Sequence, residues 1–186
     1  MDLSLMLIAL GIASDNLMLA ALSGNGFTLL RNHKWVLILL LMFIIQNQVL
    51  LYSDWFGGFT KNWLNGSTPW MGIGIMLSIG LKMIQELKIK NQSFQNFHFD
   101  TGNVLTLAAG TSIYVFAFGC VANWLDVSDR AMNLSLLPLI ASFLIGGLLL
   151  GKFHRIRILK VMHGVCVMMV LLGVALLFIQ KITRGS

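Results

Sequence analysis

Charged residues are scarce in this sequence. Thirteen Lys and Arg and seven Asp and Glu make up 11% of its 186 residues, whereas about a quarter of the residues in a typical soluble domain are charged. Hydrophobic residues make up 57%, and the mean hydropathy is +0.82. So few charges cannot cover a water-facing surface. This excludes an ordinary soluble domain and predicts an integral membrane protein.

Cysteine and proline are also rare, with two of each. Cys120 and Cys166 fall inside apolar runs, which argues against a disulfide framework and for small buried side chains. Pro138 interrupts one apolar run, so the runs can form helices with at most one kink. No Lys or Arg precedes Arg31, and a cleaved signal peptide needs a positively charged start.

The apolar residues form six runs, each close to the 20 residues that a membrane-spanning helix needs. We therefore predict an all-α integral membrane protein and a single transmembrane domain over residues 1–186. Its six helices would form two inverted-topology repeats of three, the first over about 3–87 and the second over about 103–180, joined by a cytoplasmic loop at about 88–102. The six runs are approximately 3–23, 35–54, 70–87, 103–124, 132–150 and 161–180.

Basic residues set the predicted orientation, because they concentrate on the cytoplasmic side of membrane proteins. Nine of the 13 lie in or beside loops 1–2, 3–4 and 5–6, which face the same side of the membrane. The other four (Lys61, Arg130, Lys181 and Arg184) lie on the opposite side. Both termini are therefore predicted outside. The short basic loops suit lipid headgroups, so the net charge of +6 does not indicate nucleic-acid binding. Trp55, Trp63, Trp70 and Trp124 are predicted at the outer interface.

A weak internal repeat accompanies this topology. Residues 10–21, LGIASDNLMLAA, align with residues 109–120, AGTSIYVFAFGC, at a shift of 99. Gly11 then meets Gly110, and Asp15 meets Tyr114. A three-helix unit that is repeated once must be inverted the second time, and inverted repeats are a common plan of transporters, with the site near the membrane midplane.

Asp15 is the residue that most needs an explanation. It lies about 12 residues into the first run, and an Asp at the centre of a membrane helix costs about 2.5–3.5 kcal/mol on insertion scales. A bound cation, a proton or a polar partner would relieve this cost. Gly11, one turn earlier on the same face, opens space for an ion or for a close helix.

Neutral oxygens are predicted to complete a cation site between helices 1, 2, 4 and 5. Of the three amides Gln46, Asn47 and Gln48, we choose Asn47 as the metal ligand beside Asp15, since all three cannot face one way. Helix 4 offers a polar patch at the level of the Asp15 repeat partner. His163 is expected at the cytoplasmic interface rather than in the site. The helix 4 patch consists of Thr111, Ser112 and Tyr114.

Several segments together resemble a known family. GIASDN in helix 1, GLKMIQE at 80–86 and LGKF at 150–153 are similar to segments of MntP-type manganese efflux pumps of the LysE transporter superfamily. The resemblance implies proton-coupled export of a cation, with Mn²⁺ as the named candidate, from the cytoplasmic (inner) membrane of a bacterium. It implies no resident cofactor and no enzymatic activity.

The sequence departs from that family at two charged positions. Tyr114 occupies the family's helix 4 Asp position, and Asn47 a helix 2 Glu position. Asp15 would then face a divalent cation as the one remaining carboxylate, whereas a proton, a monovalent cation or a small organic cation needs only one. The expected partners are the lipid bilayer and the transported cation or proton, with a homo-oligomer left open.

Two alternatives belong to other classes of protein. The loss of two family carboxylates suits a degenerate, non-transporting membrane partner, in which Asp15→Asn would leave function intact. Six-helix redox proteins of the CcdA type use paired cysteines within about 7 Å between Cα atoms, but Cys120 and Cys166 do not occupy equivalent repeat positions.

Overall fold

The computed structural model describes residues 3–26, 34–64, 67–93, 101–127, 129–152 and 156–185. Within these ranges the chain forms six helices and no strand, as an all-α protein should. The helices are α1 (Leu3–Gly26), α2 (Lys34–Trp63), α3 (Thr68–Ser93), α4 (Thr101–Trp124), α5 (Asp129–Lys152) and α6 (Ile156–Gly185).

The helices are longer than the apolar runs that predict them. They contain 24 to 30 residues, which at about 1.5 Å per residue exceeds the roughly 30 Å of a bilayer's hydrocarbon core. The second run was predicted to end at 54, but α2 continues to Trp63. In the predicted loop at 88–102, α3 continues to Ser93 and α4 begins at Thr101. Residues 94–100 of that loop lie outside the described ranges.

Among the residues that the structure describes, one segment is clearly long and apolar enough to cross a membrane. It is Val161–Thr183, with a mean hydropathy of 2.5, and two shorter apolar stretches lie at Leu3–Leu17 and Leu136–Gly147. The outward faces of the helices are also apolar. Leu51 and Phe59 on α2 and Leu172 on α6 are about half exposed, and exposed apolar side chains of this size suit lipid rather than water.

Helix α1 lies at the centre of the bundle, where it packs most extensively against α5 and α6. Helix α4 packs mainly against α2, and α3 contacts both α4 and α6. The Ser4 hydroxyl donates a hydrogen bond to Gln180 Oε1 over 3.3 Å. Helices α1 and α6 are therefore antiparallel, and the start of α1 and the end of α6 lie at the same end of the bundle.

Glycines let α1 approach both neighbours closely. A Cβ on Gly173 of α6 would lie 2.6 Å from the Ser4 carbonyl oxygen, and one on Gly147 of α5 would lie 2.9 Å from Ala20 Cβ. Any larger side chain at these positions would push the helices apart. Small residues are what allow such contacts where lipid gives helices no hydrophobic reason to associate.

The C-terminal end of α4 is fixed by a tight turn and by contacts with α2. Val127 N–H donates to Ala122 O over 3.0 Å, and Asp126 has a positive φ of 59°, the arrangement of a left-handed helix cap. Asp126 is paired with Lys61. Trp124, which is predicted near the outer interface, is 6% exposed and donates to Gly57 O over 3.1 Å. It fastens α4 to α2, whereas Trp55 and Trp63 are exposed.

Candidate functional site

Asp15 lies in the interior of the bundle and faces α6. Its Oδ1 is 3.4 Å from Nε2 of His163, and the two side chains are 1% and 0% exposed. Both groups sit among apolar side chains, with Ile12 and Val167 one turn away on α1 and α6 and almost fully buried. A carboxylate so far from water requires a proton, a cation or a polar partner.

A second polar cluster lies on the next face of α1. The Gln46 amide of α2 donates hydrogen bonds to Asn16 Oδ1 and, over 3.2 Å, to Thr111 Oγ1 of α4. All three side chains are buried. Among the described residues, Asn16 Nδ2 and Gln46 Oε1 have no hydrogen-bond partner. Buried amide groups are rarely left in this state, so this cluster has spare capacity both to donate and to accept.

Two roles are predicted for Gly11, space for an ion or room for a close helix, and the structure shows the second. A Cβ at this position would meet the Val170 side chain and would lie 2.7 Å from the Cys166 carbonyl oxygen. Gly11 therefore lets α6 approach α1 and does not leave an open space beside Asp15. The close approach is what holds His163 against the carboxylate.

The other predicted site residues are distributed over the bundle. Thr111 joins the Gln46 cluster, but its hydroxyl and that of Ser112 also donate to Ala108 O, over 3.0 and 2.7 Å. Tyr114 is buried and has Lys82 Nζ 5.5 Å from its ring centroid. Asn47 is half-buried, and no described hydrogen bond joins it to either polar cluster.

Tyr114 lines an open groove between α3 and α4. The groove has a volume of about 590 Å³, and its walls are mainly apolar. A Cβ on Gly74, which also lines it, or on Gly110 would meet nothing within 4 Å. The contact between α3 and α4 is therefore loose, whereas the corresponding contact between α1 and α6 is tight.

One expectation needs correction, and one gains a further helix. The site is predicted between helices 1, 2, 4 and 5, which stays a prediction, and the carboxylate of Asp15 also faces α6. His163 was expected at the interface, but it is fully buried. The reason is the length of α6: the helix begins at Ile156, so His163 lies about two turns inside it. The sequence does hold a signal for this earlier helix start, because apolar residues lie among the basic ones there: Ile156, Ile158 and Leu159.

The ligand chemistry of these residues is limited. In the described part of the chain, no group of three or more His, Cys, Asp or Glu could hold a metal ion. The two cysteines are free and buried, and Cys120 Sγ lies 3.4 Å from Ser53 O on α2. Asp15 and His163 are thus the two strong donors at the site, and further ligands would have to be amide, hydroxyl or water oxygens.

An apolar exterior around a buried carboxylate, imidazole and amides defines the chain as a helical membrane protein with an internal polar site. It is 30% identical, over 128 residues, to a protein of Methanothermobacter thermautotrophicus named "Putative manganese efflux pump MntP", and the match covers 68% of this chain and 67% of that protein. The chain belongs to the MntP family. No family model and no solved structure matches it. Membership of the wider LysE superfamily stays a prediction.

Proposed function

We propose that the protein is a secondary transporter of the cytoplasmic membrane that exports a cation, with Mn²⁺ as the first candidate, through a site at Asp15. The name of its relative supports export of manganese. The observation that supports this site is the burial of Asp15 in the middle of α1, where it is 2% exposed and lies beside the His163 side chain of α6. An intramembrane carboxylate of this kind most often serves an ion or proton pathway.

Proton coupling follows from the same burial. An ionised Asp15 with no cation beside it would be strongly unfavourable in this apolar interior. In the proposed cycle the exported cation neutralises the carboxylate in one half, and an incoming proton, bound to Asp15 or to the adjacent His163, does so in the other. Water oxygens and the adjacent Gln46–Asn16–Thr111 cluster would supply the neutral ligands that a divalent ion also needs.

In alternating access, the tight α1–α6 contact and the loose α3–α4 contact would exchange roles. Helix α1 packs against α5 and α6, and α4 packs correspondingly against α2 and α3, which supports two inverted repeats. At the shift of 99, Gly11 and Gly173 of the tight α1–α6 contact correspond to Gly110 and Gly74 beside the loose α3–α4 contact. In the opposite state α3 would close on α4, and α6 would move away from α1 to expose Asp15.

The decisive test is flux in proteoliposomes, measured for Mn²⁺, for other divalent cations and for protons with a pH-sensitive dye. The Asp15→Asn variant keeps the size of the side chain and removes its charge. Asp54→Asn is the matched control, because Asp54 is half-buried near the end of α2 and accepts a hydrogen bond from Asn123 over 2.7 Å. We expect flux in the native chain and in Asp54→Asn, and none in Asp15→Asn.

The other results would separate the alternatives. Proton or other-cation flux without Mn²⁺ flux would keep the transporter and change its substrate. Absence of flux for every ion, in a preparation whose fold is intact, would contradict transport and favour the non-transporting membrane partner.

A further inference from the structure

His163 is the buried titratable group that faces Asp15 from the opposite helix. It lies on α6, is fully buried, and has its Nε2 3.4 Å from the Asp15 Oδ1. The tight packing at Gly11 and Gly173, which both lie on one side of this level, toward the start of α1 and the end of α6, holds the two helices close together. The two backbones are therefore near enough for the short side chains of Asp15 and His163 to meet.

The separation of the two atoms suits a shared cation. Metal–nitrogen and metal–oxygen bonds of small divalent cations are about 2.1 Å long. Two such bonds that meet at about 90–110° place their donor atoms roughly 3.0–3.5 Å apart. The observed 3.4 Å lies in this interval, so a cation could bind both atoms with little movement of either helix.

The donor types bear on which cation is bound. Carboxylate, carbonyl and water oxygens suit Mg²⁺, Ca²⁺ and Mn²⁺, whereas imidazole nitrogen suits the later first-row metals. A neutral imidazole also adds a strong donor without adding charge. On the basis of the proposed function, we infer that His163 Nε2 ligates the transported cation together with Asp15 and shifts the preference of the site toward Fe²⁺, Co²⁺, Ni²⁺ and Zn²⁺.

The competing explanation is that His163 only supports the fold by contacting Asp15. The two explanations differ in what a bound metal would report. A ligating imidazole places a nitrogen in the metal's first coordination sphere, and a purely structural one does not. A shift in the ratio of metal affinities, beyond a uniform loss of binding, would likewise require direct ligation.

The experiment uses the full chain in detergent and two probes. Pulsed electron paramagnetic resonance on bound Mn²⁺ detects coupling to a ligating ¹⁴N nucleus, and competition between Co²⁺ and Mg²⁺ gives the preference. The variants are His163→Gln, Asp15→Asn and Ser4→Ala. Ser4→Ala is the control because it alters the same α1–α6 contact at the Gln180 hydrogen bond, away from the pair.

We expect the ¹⁴N coupling in the native chain and in Ser4→Ala, and its loss in His163→Gln. The preference for Co²⁺ over Mg²⁺ should fall about tenfold or more in His163→Gln. Asp15-dependent flux with no ¹⁴N coupling, or with an unchanged preference in a folded His163→Gln, would overturn the role of His163 alone. A native chain that neither binds nor transports any of these cations would overturn the proposed function as well.

Discussion

The unequal packing of two corresponding glycines predicts opposite effects of the same substitution. In Gly11→Ala the new methyl group would meet Val170 and lie 2.7 Å from the Cys166 carbonyl oxygen, and a backbone carbonyl can retreat only if α6 moves. In Gly110→Ala the methyl group would meet nothing within 4 Å. The two positions correspond at the shift of 99, so each variant is the control for the other.

The magnitude follows from two terms. Overpacking costs about 1–3 kcal/mol. The upper end applies at Gly11, because the Cys166 backbone carbonyl cannot move away as the end of a flexible side chain could. Replacing a helical glycine by alanine returns about 1 kcal/mol. We expect Gly11→Ala to be about 2 kcal/mol less stable than the native chain and Gly110→Ala to be equal to it or up to about 1 kcal/mol more stable.

Thermal unfolding in detergent, followed by circular dichroism, measures the difference. At about 2–4 °C per kcal/mol for a chain of this size, Gly11→Ala should melt roughly 4–8 °C below the native protein. Equal melting temperatures for Gly11→Ala and Gly110→Ala would refute the asymmetry of the two helix contacts, and with it the structural support for alternating access.

Two further substitutions test the exchange of helix contacts and the polar cluster. Gly74→Leu should fill the groove between α3 and α4 and leave stability within about 0.5 kcal/mol, but it should stop proteoliposome flux because the groove can no longer close. Gly164→Leu, which also adds its side chain in open space, is the control and should transport normally. Flux in Gly74→Leu would contradict the mechanism. Gln46→Leu should cost about 1–3 kcal/mol in thermal unfolding because it leaves Asn16 Oδ1 and Thr111 without their donor, whereas Asn47→Leu should be nearly neutral, and the reverse order would show that Asn47 and not Gln46 holds the cluster.

The sequence predicts the helices well because length and hydropathy decide where a chain can cross lipid. It predicts their ends less well. Apolar composition stops near residue 54, but α2 continues to Trp63, since Thr60 finds a partner in Trp124 at the end of α4 and Lys61 finds one in Asp126 of the turn that follows. Contacts of this kind lie more than 60 residues apart in sequence and leave no local pattern.

The site, like the helix ends, is predicted only in part from the sequence. Hydropathy identifies Asp15 as an unusual residue, and the helical period fixes Asp15 and Asn16 on different faces of α1. Neither says which neighbour each face meets. Gln46 and Asn47 are adjacent and point about 100° apart around α2, so the sequence alone does not say which of them meets α1. The position of α2 against α1 and α4 brings Gln46 to Asn16 and Thr111. His163 was missed because α6 begins five residues before the apolar run predicted at 161.

The most direct test of the account is equilibrium binding of Mn²⁺ to the purified chain, followed by electron paramagnetic resonance. The account predicts one saturable site in the native protein, retained in Asp54→Asn and lost in a folded Asp15→Asn. Mn²⁺ binding of unchanged affinity in Asp15→Asn would contradict the claim that this buried carboxylate is the cation site.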